Sequence, residues 1–120
     1  MKTKSLYISS IEPYSGSLIV SMGLMEMLKA RFERVAFFRP FIERKERPDS
    51  DISFMLEHFA LNMDYEDADG FYTDEVQEFV SKNRVQPLLS NLLEKLKKIQ
   101  QEYDFVLCEG LNRQRFSHRI

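Results

Sequence analysis

"LYISSIEPYSGSLIVSMGL", Leu6 to Leu24, decides how this chain is read. Its first three residues are an apolar run, and Ser5 to Ser9 reads as a buried strand bounded by polar residues. Ser15-Gly16-Ser17 then leads into a helix over Ser17 to Phe32. Strand, glycine loop and helix is the layout of a phosphate-binding loop, where backbone N–H groups and a helix N-terminus surround an anion. In such a loop a lysine after the glycine reaches the terminal phosphates, and the next Ser or Thr holds magnesium. Here Ser17 and Leu18 stand at those two places, and Ile11 stands where the first glycine would be. The backbone part of the device can survive without its side chains. The plainer alternative is a turn followed by a helix cap.

Further along, Leu18, Val20, Met22, Leu24, Met25, Met27 and Leu28 leave the first helix few polar positions, so most of its surface is expected to be covered. Lys29 and Arg31 in its last turn suit the helix dipole. Val35 to Phe38 is a second apolar run, apolar on both faces as in a parallel sheet, and Arg39-Pro40 is expected to stop it. Ile42 to Ser50 reads as a charged loop. Asp49 or Ser50 can cap a helix over Ile52 to Leu61, where Ile52, Met55, Leu56 and Phe59 recur at helical spacing. Residues 64–78 hold seven acids and no base, with a loop expected around Asp69-Gly70. Thr73 can cap a short helix from Asp74 to Ser81. Pro87 suits the first turn of a long helix reaching Tyr103. Leu88, Leu89, Leu92, Leu93, Leu96 and Ile99 form its expected buried stripe, opposite Lys95, Lys97 and Lys98. Phe105 to Cys108 is a third strand, ending in Glu109-Gly110.

Alternating strands and long helices argue for an α/β fold with a parallel sheet flanked by helices. Three strands make a small sheet, and both faces of a parallel sheet need cover. The sheet therefore reads as incomplete, with residues 1–111 as one P-loop-like domain and 112–120 as an irregular tail. Exposed strand edges would then lower solubility.

Composition narrows the function. The chain has 120 residues, is 43% hydrophobic and 30% charged, and has a formal net charge of -2. That balance is globular, and it offers no field for nucleic acid or an anionic membrane. Cys108 is the one cysteine, so no internal disulfide can form. No apolar run suits a signal peptide or a membrane span, and a cytoplasmic protein is the expectation.

Ligands of parallel α/β folds bind beyond the carboxyl ends of the strands. Three segments meet there: the Ser10 to Ser17 loop, Arg39-Pro40 with the loop towards Asp51, and Glu109-Gly110. Arg39 can bind a phosphate or carboxylate, or form a surface pair with Glu43 or Glu12. Asp51 can face a metal, or serve as a helix cap or first-turn acid. Glu109 can bind magnesium-bound water, or stand in solvent at a strand exit. His58, among Met55 and Phe59, reads as structural.

Four ordered segments carry a resemblance: "LYISSIEPYSGSLIVSMGLMEML", "RVAFFRPFIE", "DISFMLEHFAL" and "YDFVLCEG". Together they resemble the N-terminal domain of the long form of bacterial phosphate acetyltransferase, a domain similar to dethiobiotin synthetase and other P-loop proteins. The likeness covers about residues 4 to 111; the tail after Leu111 departs from it. The resemblance implies a P-loop NTPase-like fold in which the loop commonly reads Ser-Gly-Lys-Ser, with the same spacing from Gly16 to Gly23. It implies that Ser15, Gly16, Ser17 and Arg39 occupy a degenerate nucleotide or phosphate site. It puts Asp51 and Glu109 where related enzymes carry magnesium ligands.

The parent activity it implies interconverts acetyl-CoA plus phosphate with acetyl phosphate plus CoA, in a separate C-terminal transferase domain. This chain would then be a non-catalytic regulatory or structural fragment, partnered by that domain, with a homo-oligomer as a further expectation. The alternative is a small nucleotide-binding enzyme of the dethiobiotin synthetase kind. A third reading is an anion-sensing domain that kept the loop backbone.

Overall fold

The computed structural model describes residues 4–8, 16–43 and 48–110, with the side chains of 16–18 left aside. In chain order the elements are β1 (Lys4–Ile8), α1 (Gly16–Arg31), β2 (Val35–Ile42), α2 (Ser50–His58), α3 (Tyr65–Ala68), β3 (Asp69–Tyr72), α4 (Thr73–Ser81), α5 (Val85–Glu102) and β4 (Phe105–Glu109). The four strands form one sheet in the order β1-β4-β2-β3, and every pairing is parallel. The α/β reading with a helix-flanked parallel sheet therefore holds.

Alternation along β2 and β4 builds two cores. Val35, Phe37 and Leu107 face one way and pack with Met25 of α1 and Ile52 and Met55 of α2. Ala36, Phe38, Val106 and Cys108 face the other way and pack with Ile99 of α5 and Tyr103. Phe37 and Phe38 are completely buried, each contributing about 1.5–3 kcal/mol of burial free energy.

Local chemistry sets the ends of the helices. Asp49 caps α2, its carboxylate accepting the Ile52 N–H at 3.0 Å. Pro87 is the third residue of α5, where its missing N–H costs no intrahelical bond. Asn83, at φ 57°, follows α4 in the left-handed conformation that commonly ends a helix.

Five expectations need correction. First, β1 is not buried: Lys4 to Tyr7 are exposed, because β1 lies at the edge of the sheet. Second, β2 does not stop at Arg39-Pro40 but continues to Ile42. It pairs with β4 up to Phe38, then with β3 from Arg39 onward. Pro40 lies past the β2–β4 pairing, which ends at Phe38, so its lack of an N–H is tolerated there. Third, Asp69 to Tyr72, expected as loop, is the fourth strand. Gly70 is required in it, since a Cβ there would overlap the Pro40 carbonyl. Fourth, two helices are more exposed than their patterns imply. Ile19, Val20 and Met27 of α1, and Leu89 and Leu93 of α5, point outward because each helix meets the sheet over a narrower sector than its apolar residues span. Fifth, in α4, Thr73 is the first helical residue and Tyr72 the cap.

Candidate functional site

The parallel register determines what can meet at the carboxyl end of the sheet. Phe38 lies level with Cys108, so the next residues, Arg39 and Glu109, lie level with each other. Both point to the face carrying α1 and α2, the face of Phe37 and Leu107. Glu109 is buried, with its side chain only 1% exposed. Its Oε2 accepts a hydrogen bond of 2.6 Å from the Ser21 hydroxyl, itself buried on α1. Oε1 lies 3.4 Å from Arg39 Nε. That nitrogen is buried without a hydrogen bond of good geometry, so this contact is an ion pair and little more.

Arg39 gives its hydrogen bonds to Asp49. Its Nη1 lies 3.0 Å from Oδ1 and 2.8 Å from Oδ2 of that carboxylate. The same nitrogen lies 3.5 Å from Asp51 Oδ2. One oxygen of Asp49 also caps α2, and the Asp49 N–H donates to the Tyr65 hydroxyl at 2.6 Å. The guanidinium thus sits among three carboxylates, drawn from β4, the α2 cap and the first turn of α2.

The electrostatics follow from this placement. Burial opposes the charge on Arg39, but Asp49, then Glu109 and Asp51, outweigh it and hold its pKa above the usual value. Burial pushes the Glu109 carboxyl above the usual carboxylate range, although the Ser21 hydrogen bond and Arg39 pull the other way. Burial raises Asp51 as well, opposed by Arg39 and reinforced by Asp49. Beside Glu109, burial pushes the Cys108 thiol up to about 11, which leaves it a poor nucleophile at neutral pH.

The sequence-derived site residues divide into two groups. Arg39, Asp51 and Glu109 come together. Arg39 pairs with Asp49, Asp51 and Glu109, while Asp51 is a first-turn residue of α2 capped by Asp49. Gly16 and Ser17 open α1 as backbone, and Ser15 lies outside the described residues. Two members were missed as site residues: Asp49, read only as a cap, and Ser21. Ser21 did leave a signal. It is a lone hydroxyl in an apolar helical run, one turn before the buried Met25.

For a divalent cation the fit is poor. Arg39 already occupies the space among Asp49, Asp51 and Glu109. Among the described residues no group of three or more His, Cys, Asp or Glu is arranged to hold a metal. His58, read as structural, stacks on Phe54 at 5.0 Å and meets Phe59 edge-on at 4.7 Å. A shallow cavity of about 310 Å³, lined by Lys29, Arg34, Asn62 and Tyr103 among others, lies at the opposite end of the sheet, beside Val35. No helix among the described residues is long and apolar enough to cross a membrane.

Comparison with known proteins agrees with this architecture. The AAA domain family matches residues 4–116. A phosphate acetyltransferase of Nitratidesulfovibrio vulgaris is 39% identical over 110 residues, 90% of this chain. A phosphate acetyltransferase of Synechocystis sp. is 34% identical over the same length and share. The chain spans only 16% of the length of either relative. With a helix-flanked parallel sheet and a match over nearly all of its residues, the chain belongs to the AAA domain family.

Proposed function

We propose that this chain is a regulatory or structural module of a phosphate acetyltransferase, acting in the cytoplasm and non-catalytic by itself. The transferase domain of the same enzyme is its partner, and association between copies fits the same role. Parentage is supported by the 39% and 34% identities to proteins of that name.

One geometric observation carries the non-catalytic part. Arg39 pairs internally with Glu109 at the end of β4 and with Asp49 and Asp51 at the start of α2. A magnesium–nucleotide complex needs such carboxylates free to hold water around the metal, and it needs the lysine that Ser17 replaces. What remains at Ser15, Gly16 and Ser17 is the glycine and a helix start, enough to contact an anion weakly.

Two measurements test the proposal. The isolated chain is expected to form no acetyl phosphate from acetyl-CoA and phosphate, and measurable turnover rejects it. Calorimetric titration with magnesium–ATP is expected to give no saturable heat at millimolar ligand. Tight binding would favour the nucleotide-binding enzyme instead.

A further inference from the structure

The cavity of about 310 Å³ lies at the amino ends of β2 and β4, opposite the ion network. Hydrogen bonds hold its walls. Ala60, at φ 51°, reverses the chain after α2, and the Leu61 N–H closes on the Leu56 carbonyl at 2.9 Å. The Tyr103 hydroxyl donates to the Asn62 carbonyl at 2.7 Å, which ties that reversal to the end of α5. The Arg34 N–H donates to Asp104 Oδ2 at 3.1 Å, and the Arg34 carbonyl accepts the Asp104 N–H at 2.7 Å. The backbone of both walls is therefore fixed before any ligand arrives, which lowers the cost of binding one.

The charges around the cavity are not satisfied within the chain. Lys29, Glu33 and Arg34 line it and are exposed residues. Among the described residues none of the three forms an ion pair. Lys29 and Glu33 have the spacing of a helical pair, but α1 ends at Arg31, so Glu33 leaves the helix before that pair can close. The Arg34 guanidinium lies 5.2 Å from the centre of the Tyr103 ring. That cation–π contact leaves its N–H groups for a carboxylate. Asn62 adds a carboxamide, and Val35 and Tyr103 add buried wall.

We infer that this cavity binds an aminodicarboxylate, its two carboxylates on Lys29 and Arg34 and its ammonium group on Glu33. Two cations and one carboxylate give the lining one net positive charge, and such a ligand carries one net negative charge at neutral pH. A plain dicarboxylate would set an anion beside Glu33, and a plain amine would face two cations. The volume is at the small end of small-molecule sites, which suits a short methylene stem against Val35 and the Tyr103 ring. The site shares no residue with the ion network around Arg39, and the inference stands apart from the parentage given under Proposed function.

The test titrates the chain with L-aspartate, L-glutamate and succinate. Calorimetry reads affinity, and amide chemical shifts read where binding occurs. At least one of the two amino acids is expected to bind saturably at millimolar concentration, with shifts centred on Arg34 and Asn62. Succinate, which lacks the ammonium group, should bind ~10-fold or more weakly. Arg34→Gln keeps the backbone bonds to Asp104 and should weaken the amino acid by ~10-fold or more, with the melting of the chain unchanged. Glu33→Gln should weaken the amino acid but strengthen succinate, an inversion that a general loss of structure cannot produce. Succinate bound as tightly as the amino acid by the unaltered chain overturns the inference in favour of a simple anion site. Binding that shifts amides elsewhere, or that Arg34→Gln leaves unchanged, overturns it. So does the absence of saturable binding by either amino acid.

Discussion

Leu6-Tyr7-Ile8 of β1 and Val35-Ala36-Phe37-Phe38 of β2 are the same kind of apolar run, and both become parallel strands. Their environments are opposite. Val35 to Phe38 are all buried, whereas Leu6 and Tyr7 are exposed. β2 has β4 and β3 as neighbours and helices on both faces; β1 has β4 alone among the described strands. The energy of an apolar residue lies in the area its neighbours take from water, not in its identity. A run of apolar letters therefore specifies a strand better than it specifies burial.

Substitution offers the sharpest attack on this contrast. Phe37→Ala empties the centre of the sheet and should cost about 3–5 kcal/mol of unfolding free energy. Leu6→Ala should cost under about 1 kcal/mol. Denaturant titration of both variants decides the matter, and equal losses would break the distinction.

Next in size is the charged counterpart of that core. Arg39→Met keeps the volume and removes the charge, leaving Asp49 and Glu109 buried without their cation. A loss of about 3 kcal/mol or more is expected. Adding Glu109→Gln to that variant should recover part of it, since the two residues share one network. A stable single variant would mean that the ion network contributes little.

Gly70→Ala probes the junction of β2 and β3. The added methyl meets the Pro40 carbonyl, so a loss of about 1–3 kcal/mol follows. Gly23→Ala is the control. Nothing lies near a Cβ at Gly23, and alanine in a helix should stabilise by about 0.5–1 kcal/mol.

The smallest effect is on pH dependence. Glu109 and Asp51 have folded-state pKa values raised above the usual carboxylate range, chiefly by burial. Between the usual and the raised values, the folded chain binds more protons than the unfolded chain. Stability contributed by these two groups therefore falls as pH rises through that window and is best below it. Glu109→Gln should flatten this part of the stability–pH curve. An unchanged slope would show that Glu109 carries no such linkage.

Much of the fold was legible because local and tertiary preferences coincide. The strand runs of β1, β2 and β4, the helical spacing around Met55, and the Asp49 cap all appear in the structure. β3 was hidden because Asp69-Gly70 is a turn signal by itself. Its strand geometry comes from pairing with the second half of β2, which no local pattern announces. Arg39, Asp51 and Glu109 could be placed together because Arg39 and the loop towards Asp51 were expected to follow β2, and Glu109 ends β4. Asp49 could not be read as their partner, because its capping role already accounted for it.

The sequence by itself determined an α/β chain with a parallel sheet, a phosphate loop without its lysine, and three charged residues at one end of that sheet. Those features follow from periodicity, from glycine and proline positions, and from residue identity. Tertiary structure alone decided that β4 lies between β1 and β2. That order brings Arg39 level with Glu109, closes an ion network where a cation would sit, and leaves β1 open. The reason is physical: strand order and register depend on contacts between residues far apart in the chain, and those energies are absent from any local stretch.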